Sequence, residues 1–343
     1  MKAARLHEFD GQLSVEDVPD PEIRGPRDVI VRVGGAGLCR TDLHLIEGWF
    51  KDIIPAERPF TLGHENAGWV EAVGDAVTAV KAGDGVIVHP LITCGICAAC
   101  RAGEDMYCTA SAFPGVNTDG GFADYLGTSE RTLIKLGEEI HPASVAPYAD
   151  AGITAYRAAR KAAEVLAPGQ TVVVIGVGGL GHIGVQLLRH LTAARIIAVD
   201  RSQAALDLAG SIGADELAGT EAPVESVLEA TGGLGADAVV DFVGEGDTPA
   251  QSVAMLRQGG TYLVVGYGGT LNIPLVELIL KEATIVGNLV GNYGELSDLM
   301  ALVAQGKVKL HTRQYPLENI GEAIDDLRAG RIMGRGVIVP SSR

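Results

Sequence analysis

The chain has 343 residues, 47% of them hydrophobic and 20% charged, with a formal net charge of −16. So acidic a protein repels nucleic acid and anionic lipid, which excludes both as partners, and there is neither an apolar core behind the charges of residues 1–6 nor a run of about 18 apolar residues to cross a membrane. The expectation is a cytoplasmic protein of two domains, since one hydrophobic core seldom grows beyond roughly 250 to 300 residues.

In chain order, the first segment carries short β-type runs punctuated by glycine and proline, such as residues 28–33 and Gly85–Val88, and predicts irregular β structure. Two groups of polar residues stand out in it. One is Cys39-Arg40-Thr41-Asp42-Leu43-His44; the other is Gly63-His64-Glu65. A catalytic zinc needs three protein ligands and an open position, and Cys39 with His64 provides two by type, while local spacing does not reveal a third. Taken singly, Cys39 reads as a small buried hydrophobe and His64 as a structural histidine, so the reading rests on the combination.

The other four cysteines fall together, Cys94, Cys97 and Cys100 followed by Cys108, in a lobe over about residues 90–110. Four thiolates at such spacing enclose a tetrahedral ion, and a structural zinc is the favoured reading. A reducing compartment opposes two disulfides; an iron–sulfur cluster needs the same thiolates, but no second cluster motif accompanies them.

From about residue 152 the rhythm changes to apolar strand, turn and helix, with strands expected at Thr171–Ile175, 194–199, 238–243 and 261–265 and helical patterns at 185–191 and 203–209. This alternation predicts a parallel α/β domain. Thr171–Ile175 leads into Gly176-Val177-Gly178-Gly179-Leu180-Gly181, then a helix, then a strand ending at Asp200, nineteen positions after Gly181. The whole arrangement is a dinucleotide fingerprint: glycines admit a pyrophosphate to the helix N-terminus, and the carboxylate accepts from the ribose hydroxyls. Asp200 repels a 2′-phosphate and so favours NAD(H) over NADP(H), although the adjacent Arg201 is a group that can hold that phosphate. After residue 285 the alternation ends, and the tail through 336–340 reads as helix plus short strand, its place in the fold unassigned by periodicity.

On Cys39-Arg40-Thr41-Asp42, Gly63-His64-Glu65, the four-cysteine lobe, Asp150-Ala-Gly-Ile-Thr154 and the glycine turn with Asp200, the sequence resembles the zinc-containing medium-chain alcohol dehydrogenases over essentially its whole length. The resemblance implies a GroES-like β-rich catalytic domain from residues 1–151 and 291–343, and a Rossmann NAD-binding domain over 152–290. It also implies two zinc ions per chain and supplies the missing catalytic ligand: Asp150 stands where many members have cysteine, as in some members resembling secondary-alcohol dehydrogenases. Glu65 resembles the family's transient zinc ligand, and Asp42 would orient the His64 imidazole. Thr41 would start a proton relay through the nicotinamide ribose to His44, which would reach solvent. Arg40 and Arg335 would contact the pyrophosphate, and Thr154, Val265, Tyr267 and Leu289 would line the nicotinamide pocket, with Gly266 letting the strand approach.

The reaction so implied is reversible NAD-linked oxidation of a primary or secondary alcohol, held as alkoxide on zinc, to aldehyde or ketone. Trp49, Phe50, Leu91 and Phe113 lie in segments within reach of such a site and hint at an apolar substrate. A polyol- or aldehyde-specific relative is the nearest alternative, and a zinc-stabilised binding protein without catalysis the more distant one. The expected partners are a small alcohol or carbonyl compound and further copies of the chain, a homotetramer before a dimer.

Overall fold

A computed structural model describes residues 1–54 and 56–340. The chain divides into two compact units: Met1–Ala151 with Asn292–Asp298 and Leu310–Arg343, and Gly152–Gly291 with Leu299–Lys309.

In the first unit the central strand is Asp28–Leu38, five residues longer than its apolar pattern suggests. The extension runs through Gly34, Gly35 and Gly37, where a Cβ at Gly34 would meet the Trp69 ring and one at Gly35 would meet Ala143. Close packing demands glycine there and hides the strand from a hydrophobic pattern. Asp28–Leu38 pairs antiparallel with Glu65–Val73, Tyr125–Ser129 and Arg335–Val339, and a parallel partner of the last, Thr312–Pro316, forms the sheet's edge. The core beneath includes Val31, Leu38, Leu62, Phe122, Leu126 and Ile338. The tail therefore returns to the first lobe, as a helix Ile320–Arg328 and the strand Arg335–Val339.

In the second unit the described strands form one parallel sheet in the spatial order Glu216–Ala218, Arg195–Val199, Thr171–Ile175, Ala236–Asp241, Leu256–Val264, Thr284–Gly287. Numbered along the chain this order is 3-2-1-4-5-6, the doubly wound dinucleotide-binding topology, whose switch point lies beside the first strand. Thr171–Ile175 is wholly buried, as its run of β-branched residues requires.

Assignment of all of 291–343 to the first lobe needs correction over Leu299–Lys309, which belongs to the second unit. The anchor is a side chain: Gln186 donates from Nε2 to the Lys309 carbonyl and accepts at Oε1 from the Lys309 N–H, each at 2.9 Å. An amide that mimics a strand partner across 123 residues leaves no periodic trace. No helix among the described residues is long and apolar enough to cross a membrane.

Candidate active site and metal centres

The strand Asp28–Leu38 delivers the chain to Cys39, which precedes the helix Arg40–Ile46. Asp42, in the first turn of that helix, accepts from the Cys39 N–H through Oδ2 at 2.8 Å, while its Oδ1 faces His64 Nδ1 at 3.3 Å. One buried carboxylate thus fixes both the helix start and an imidazole. On the other edge of that ring, His64 Nε2 lies 3.5 Å from Asp150 Oδ2. Cys39, His64, Glu65 and Asp150 are all buried, and one donor atom of each lies within 4.8 Å of the others.

These residues fit a zinc ion. His64 Nε2 is buried without a hydrogen-bond partner among the described residues, an arrangement that costs free energy in a protein interior unless a cation takes the lone pair. Burial works against charge on His64, but Asp42, Asp150 and Cys39 outweigh it and hold the imidazole pKa well above its ordinary value. The cluster favours a cation at its centre. The donor set of one thiolate, one imidazole and one carboxylate is of the type that leaves zinc an open position.

Glu65 has a second partner that the sequence does not disclose. Its carboxylate takes a bidentate pair from the buried Arg335 guanidinium, with Nε at 3.0 Å and Nη2 on the other oxygen, and accepts the Ala151 N–H at 3.0 Å. Burial pushes the Glu65 carboxyl up, and the guanidinium opposes it. Arg335 is expected from the family resemblance to hold pyrophosphate; within the first unit its guanidinium ties the final strand to Glu65, whose carboxylate also accepts the N–H at the start of the helix Ala151–Val165. Arg40, by contrast, is exposed at the first position of its helix.

Thr41 Oγ1 lies 3.5 Å from Cys39 Sγ. His44 does not reach solvent as expected: it is 4% exposed, under the indole of Trp49, with ring centroids 4.0 Å apart and planes 13° from parallel. Burial and the Arg40 charge lower its pKa to about 4, so it is neutral at pH 7. Of the aromatic residues expected near the metal, Phe113 meets the His64 ring edge-on at 5.8 Å, whereas Trp49 and Phe50 both lie against His44. Leu91 is buried.

The four cysteines of the lobe are free thiols rather than disulfides. Cys94 and Cys100 place their sulfurs 4.0 Å apart, close to the edge of about 3.8 Å that a tetrahedron of zinc–sulfur bonds of about 2.3 Å requires. Backbone N–H groups of Ile96 and Cys97 draw the Cys94 thiol down to about 6, toward the thiolate that a metal needs.

In the second unit the glycine turn is formed as the fingerprint demands. Gly176 has φ +83°, and a Cβ at Gly181 would drive into the Gly176 carbonyl, so helix Gly181–Leu191 starts against the turn itself. Nothing lies within 4 Å of a Cβ built at Gly178. That is the backbone face a pyrophosphate would approach, together with Gly179 and Leu180. Asp200 Oδ2 accepts the Val177 N–H at 2.7 Å and Oδ1 the Ser202 N–H at 2.8 Å, leaving further lone pairs on both oxygens for ribose hydroxyls. Arg201 is exposed.

His182, passed over in the sequence, donates from Nδ1 to the Gly178 carbonyl at 2.8 Å and pins the turn from below. Its only signal is position, four residues after Gly178 in the helix that the turn opens. Thr154 accepts at its carbonyl from Asn288 Nδ2 at 3.1 Å. Val265 is buried, Gly266 packs its backbone against Val243, and Tyr267 and Leu289 expose their side chains.

Two family models match: an alcohol dehydrogenase GroES-like domain over residues 25–138 and a zinc-binding dehydrogenase over 179–305. A protein of Sulfurisphaera tokodaii named NAD-dependent alcohol dehydrogenase is 37% identical over 99% of this chain and 100% of its own length. The NADP-linked D-arabinose 1-dehydrogenase of Saccharolobus solfataricus is 36% identical over 99% and 97% of the two chains. Among solved structures, the alcohol dehydrogenase of Aeropyrum pernix superposes with a TM-score of 0.97 at 46% identity, covering 99% of this chain and 100% of that one.

Proposed function

The chain belongs to the zinc-containing medium-chain alcohol dehydrogenase family, and from that membership we propose that it reversibly oxidises a primary or secondary alcohol to an aldehyde or ketone, giving the hydride to NAD. The observation that carries this reading is the buried convergence of Cys39, His64 and Asp150, with Asp42 behind the imidazole. Zinc held there would supply a Lewis acid that lowers the pKa of an alcohol hydroxyl in one direction and polarises a carbonyl in the other. Glu65 stands ready as a fourth donor, and Cys94, Cys97, Cys100 and Cys108 would hold a second, structural zinc.

The chain's own residues manage the proton. Thr41 and His44 are one helical turn apart on Arg40–Ile46, so their side chains leave the same face. Thr41 Oγ1 would take the hydroxyl proton as it gives up its own, and His44, neutral at pH 7, would receive a proton and carry it onward. Phe113 beside His64 shields the reacting centre from water and favours an apolar substituent on the substrate. In the second unit, Gly176, Gly178, Gly179, Leu180 and Gly181 would bind the dinucleotide, and the Asp200 carboxylate supports NAD over NADP. Reduced thiols at a metal lobe suit a cytoplasmic setting.

Self-association is the remaining part of the proposal. On the helix Leu275–Lys281, Leu275, Val276, Ile279 and Leu280 are each 60% or more exposed. Beside it Thr284–Gly287 is the sheet's edge, without a strand partner on its outer side among the described residues. An apolar patch beside an open edge is what a two-fold copy covers, extending the sheet from one protomer into its partner. Two such dimers would make the expected tetramer.

The deciding experiment measures NADH formation at 340 nm from zinc-loaded protein with NAD and a panel of primary and secondary alcohols, polyols and sugars, before and after chelation. Chelator-sensitive turnover of apolar alcohols is expected. Preferred turnover of polyols or of a sugar would replace the substrate class, and no turnover in either direction with zinc and NAD bound would overturn the enzymatic reading.

A further inference from the structure

Two consecutive glycines, Gly178 and Gly179, stand at the centre of the glycine turn and leave it conformationally underdetermined. The peptide plane between them is trans, so the Gly178 carbonyl and the Gly179 N–H point in opposite directions. With no Cβ on either side the plane turns over at little steric cost, and each orientation would present the opposite group to a ligand. A turn that offers an N–H to a phosphate therefore needs something besides its glycines to choose between them. The structure supplies it in His182. The Gly178 carbonyl accepts twice from this residue, from the backbone N–H at 3.2 Å and from the ring Nδ1–H at 2.8 Å. The first bond opens the helix Gly181–Leu191 and is long, whereas the second is shorter and comes from a side chain 0% exposed. A carbonyl only accepts, so the ring proton lies on Nδ1. The Gly178 carbonyl thus points inward and the Gly179 N–H outward, where Gly178 is exposed and Gly179 half-buried. That N–H donates to no other group among the described residues.

We propose that His182 is a positioning residue for the cofactor's pyrophosphate: its ring N–H holds the Gly178 carbonyl down, so that the Gly179 N–H stays turned toward the phosphate oxygens. The proposal rests on the reading of the glycine turn as the dinucleotide site. An ionised phosphate oxygen only accepts, so it is attracted by the N–H orientation of the plane and repelled by the carbonyl orientation. His182 acts through the Gly178–Gly179 peptide and not by its own contact with the ligand. Because its hydrogen bond is already present in the free protein, the alignment is in place before the ligand arrives and binding does not have to impose it. The ribose acceptor Asp200 is held separately, by the Val177 and Ser202 N–H groups. The influence of His182 is therefore confined to the pyrophosphate.

The test measures binding of ADP-ribose by calorimetry, and of adenosine by competition against it, to the zinc-loaded wild type and to His182→Leu, His182→Asn and His182→Gln. Thermal midpoints serve as controls for folding. Leucine keeps an apolar bulk and removes the donor. The amide nitrogen of asparagine falls where Nδ1 does, whereas that of glutamine falls nearer to Nε2. His182→Leu is expected to weaken ADP-ribose about tenfold, the order that one hydrogen bond to a charged group contributes, and to leave adenosine within about twofold. His182→Asn should bind ADP-ribose as the wild type does, and His182→Gln should resemble His182→Leu. Should His182→Leu fail to fold, the contrast of asparagine with glutamine decides alone. Equal losses for ADP-ribose and adenosine would mark a merely structural role and overturn the proposal. So would wild-type affinity in His182→Leu, or a folded His182→Asn that binds no better than His182→Gln. No binding of ADP-ribose by the wild type would overturn the dinucleotide reading itself.

Discussion

At His44, burial and then Arg40 disfavour the imidazolium, so the folded chain resists a proton down to about pH 4 whereas the unfolded chain accepts it near pH 6.5. Between those values the unfolded state binds more protons, and stability therefore falls as pH falls through that window, by at most about 3 kcal/mol from this group. His44→Gln should flatten this part of the curve. Urea midpoints of the two proteins from pH 6.5 down to 5, above most carboxylate titration, would show it as a shrinking gap. Asp200 makes a different test. With both carboxylate oxygens already engaged by Val177 and Ser202, Asp200→Ala removes both the ribose acceptor and the repulsion of a 2′-phosphate. The KM for NAD should rise and turnover with NADP appear, and unchanged kinetics with both cofactors would refute its role. The place of Asp200 was readable from the sequence because it follows from distance along one strand–helix–strand unit. Asp150 was not, since it joins Cys39 and His64 only through the fold, and just the family resemblance singled it out. The burial of His44 escaped both routes, because it depends on a chain reversal at Gly48.

Among the elements, the glycine turn was legible almost to the residue, with the strand Thr171–Ile175 and the helix after it where the pattern places them. Its glycines do two separate jobs that substitution can separate. Gly178→Ala meets no protein atom within 4 Å and should leave the thermal midpoint of the free protein within about 2 °C while weakening NAD at least tenfold, because the new methyl group would stand on the face a pyrophosphate is proposed to approach. Gly181→Ala strikes the Gly176 carbonyl and should lower both stability and binding. Calorimetry with and without NAD distinguishes the two, and equal destabilisation by both would contradict this division. The central strand Asp28–Leu38 was legible only in its first half, because its glycine-rich second half is specified by the Trp69 and Ala143 side chains packed on it.

For the whole molecule, the patch on Leu275–Lys281 predicts assembly. Ile279→Glu places a charge at its centre and should convert the proposed oligomer to smaller species by light scattering, with the far-ultraviolet spectrum retained. A wild-type monomer at micromolar concentration would refute the interface. Two lobes and their approximate division were legible from the change of rhythm near residue 152, but the excursion of Leu299–Lys309 was not, since it depends on one glutamine side chain. The closing strand Arg335–Val339, inserted between Thr312–Pro316 and Asp28–Leu38, has a consequence for biosynthesis. Glu65 leaves the ribosome 270 residues before Arg335, its buried partner. At about 5 to 20 residues per second this is a delay of roughly 15 to 55 s. During that interval the nascent lobe exposes an unpaired edge of Asp28–Leu38 and a carboxylate without its counter-charge, close to Cys39 and His64. Metal loading at this centre should thus follow release of the chain, and slow-growing or zinc-starved hosts should yield folded protein whose cysteine lobe is filled before its second centre.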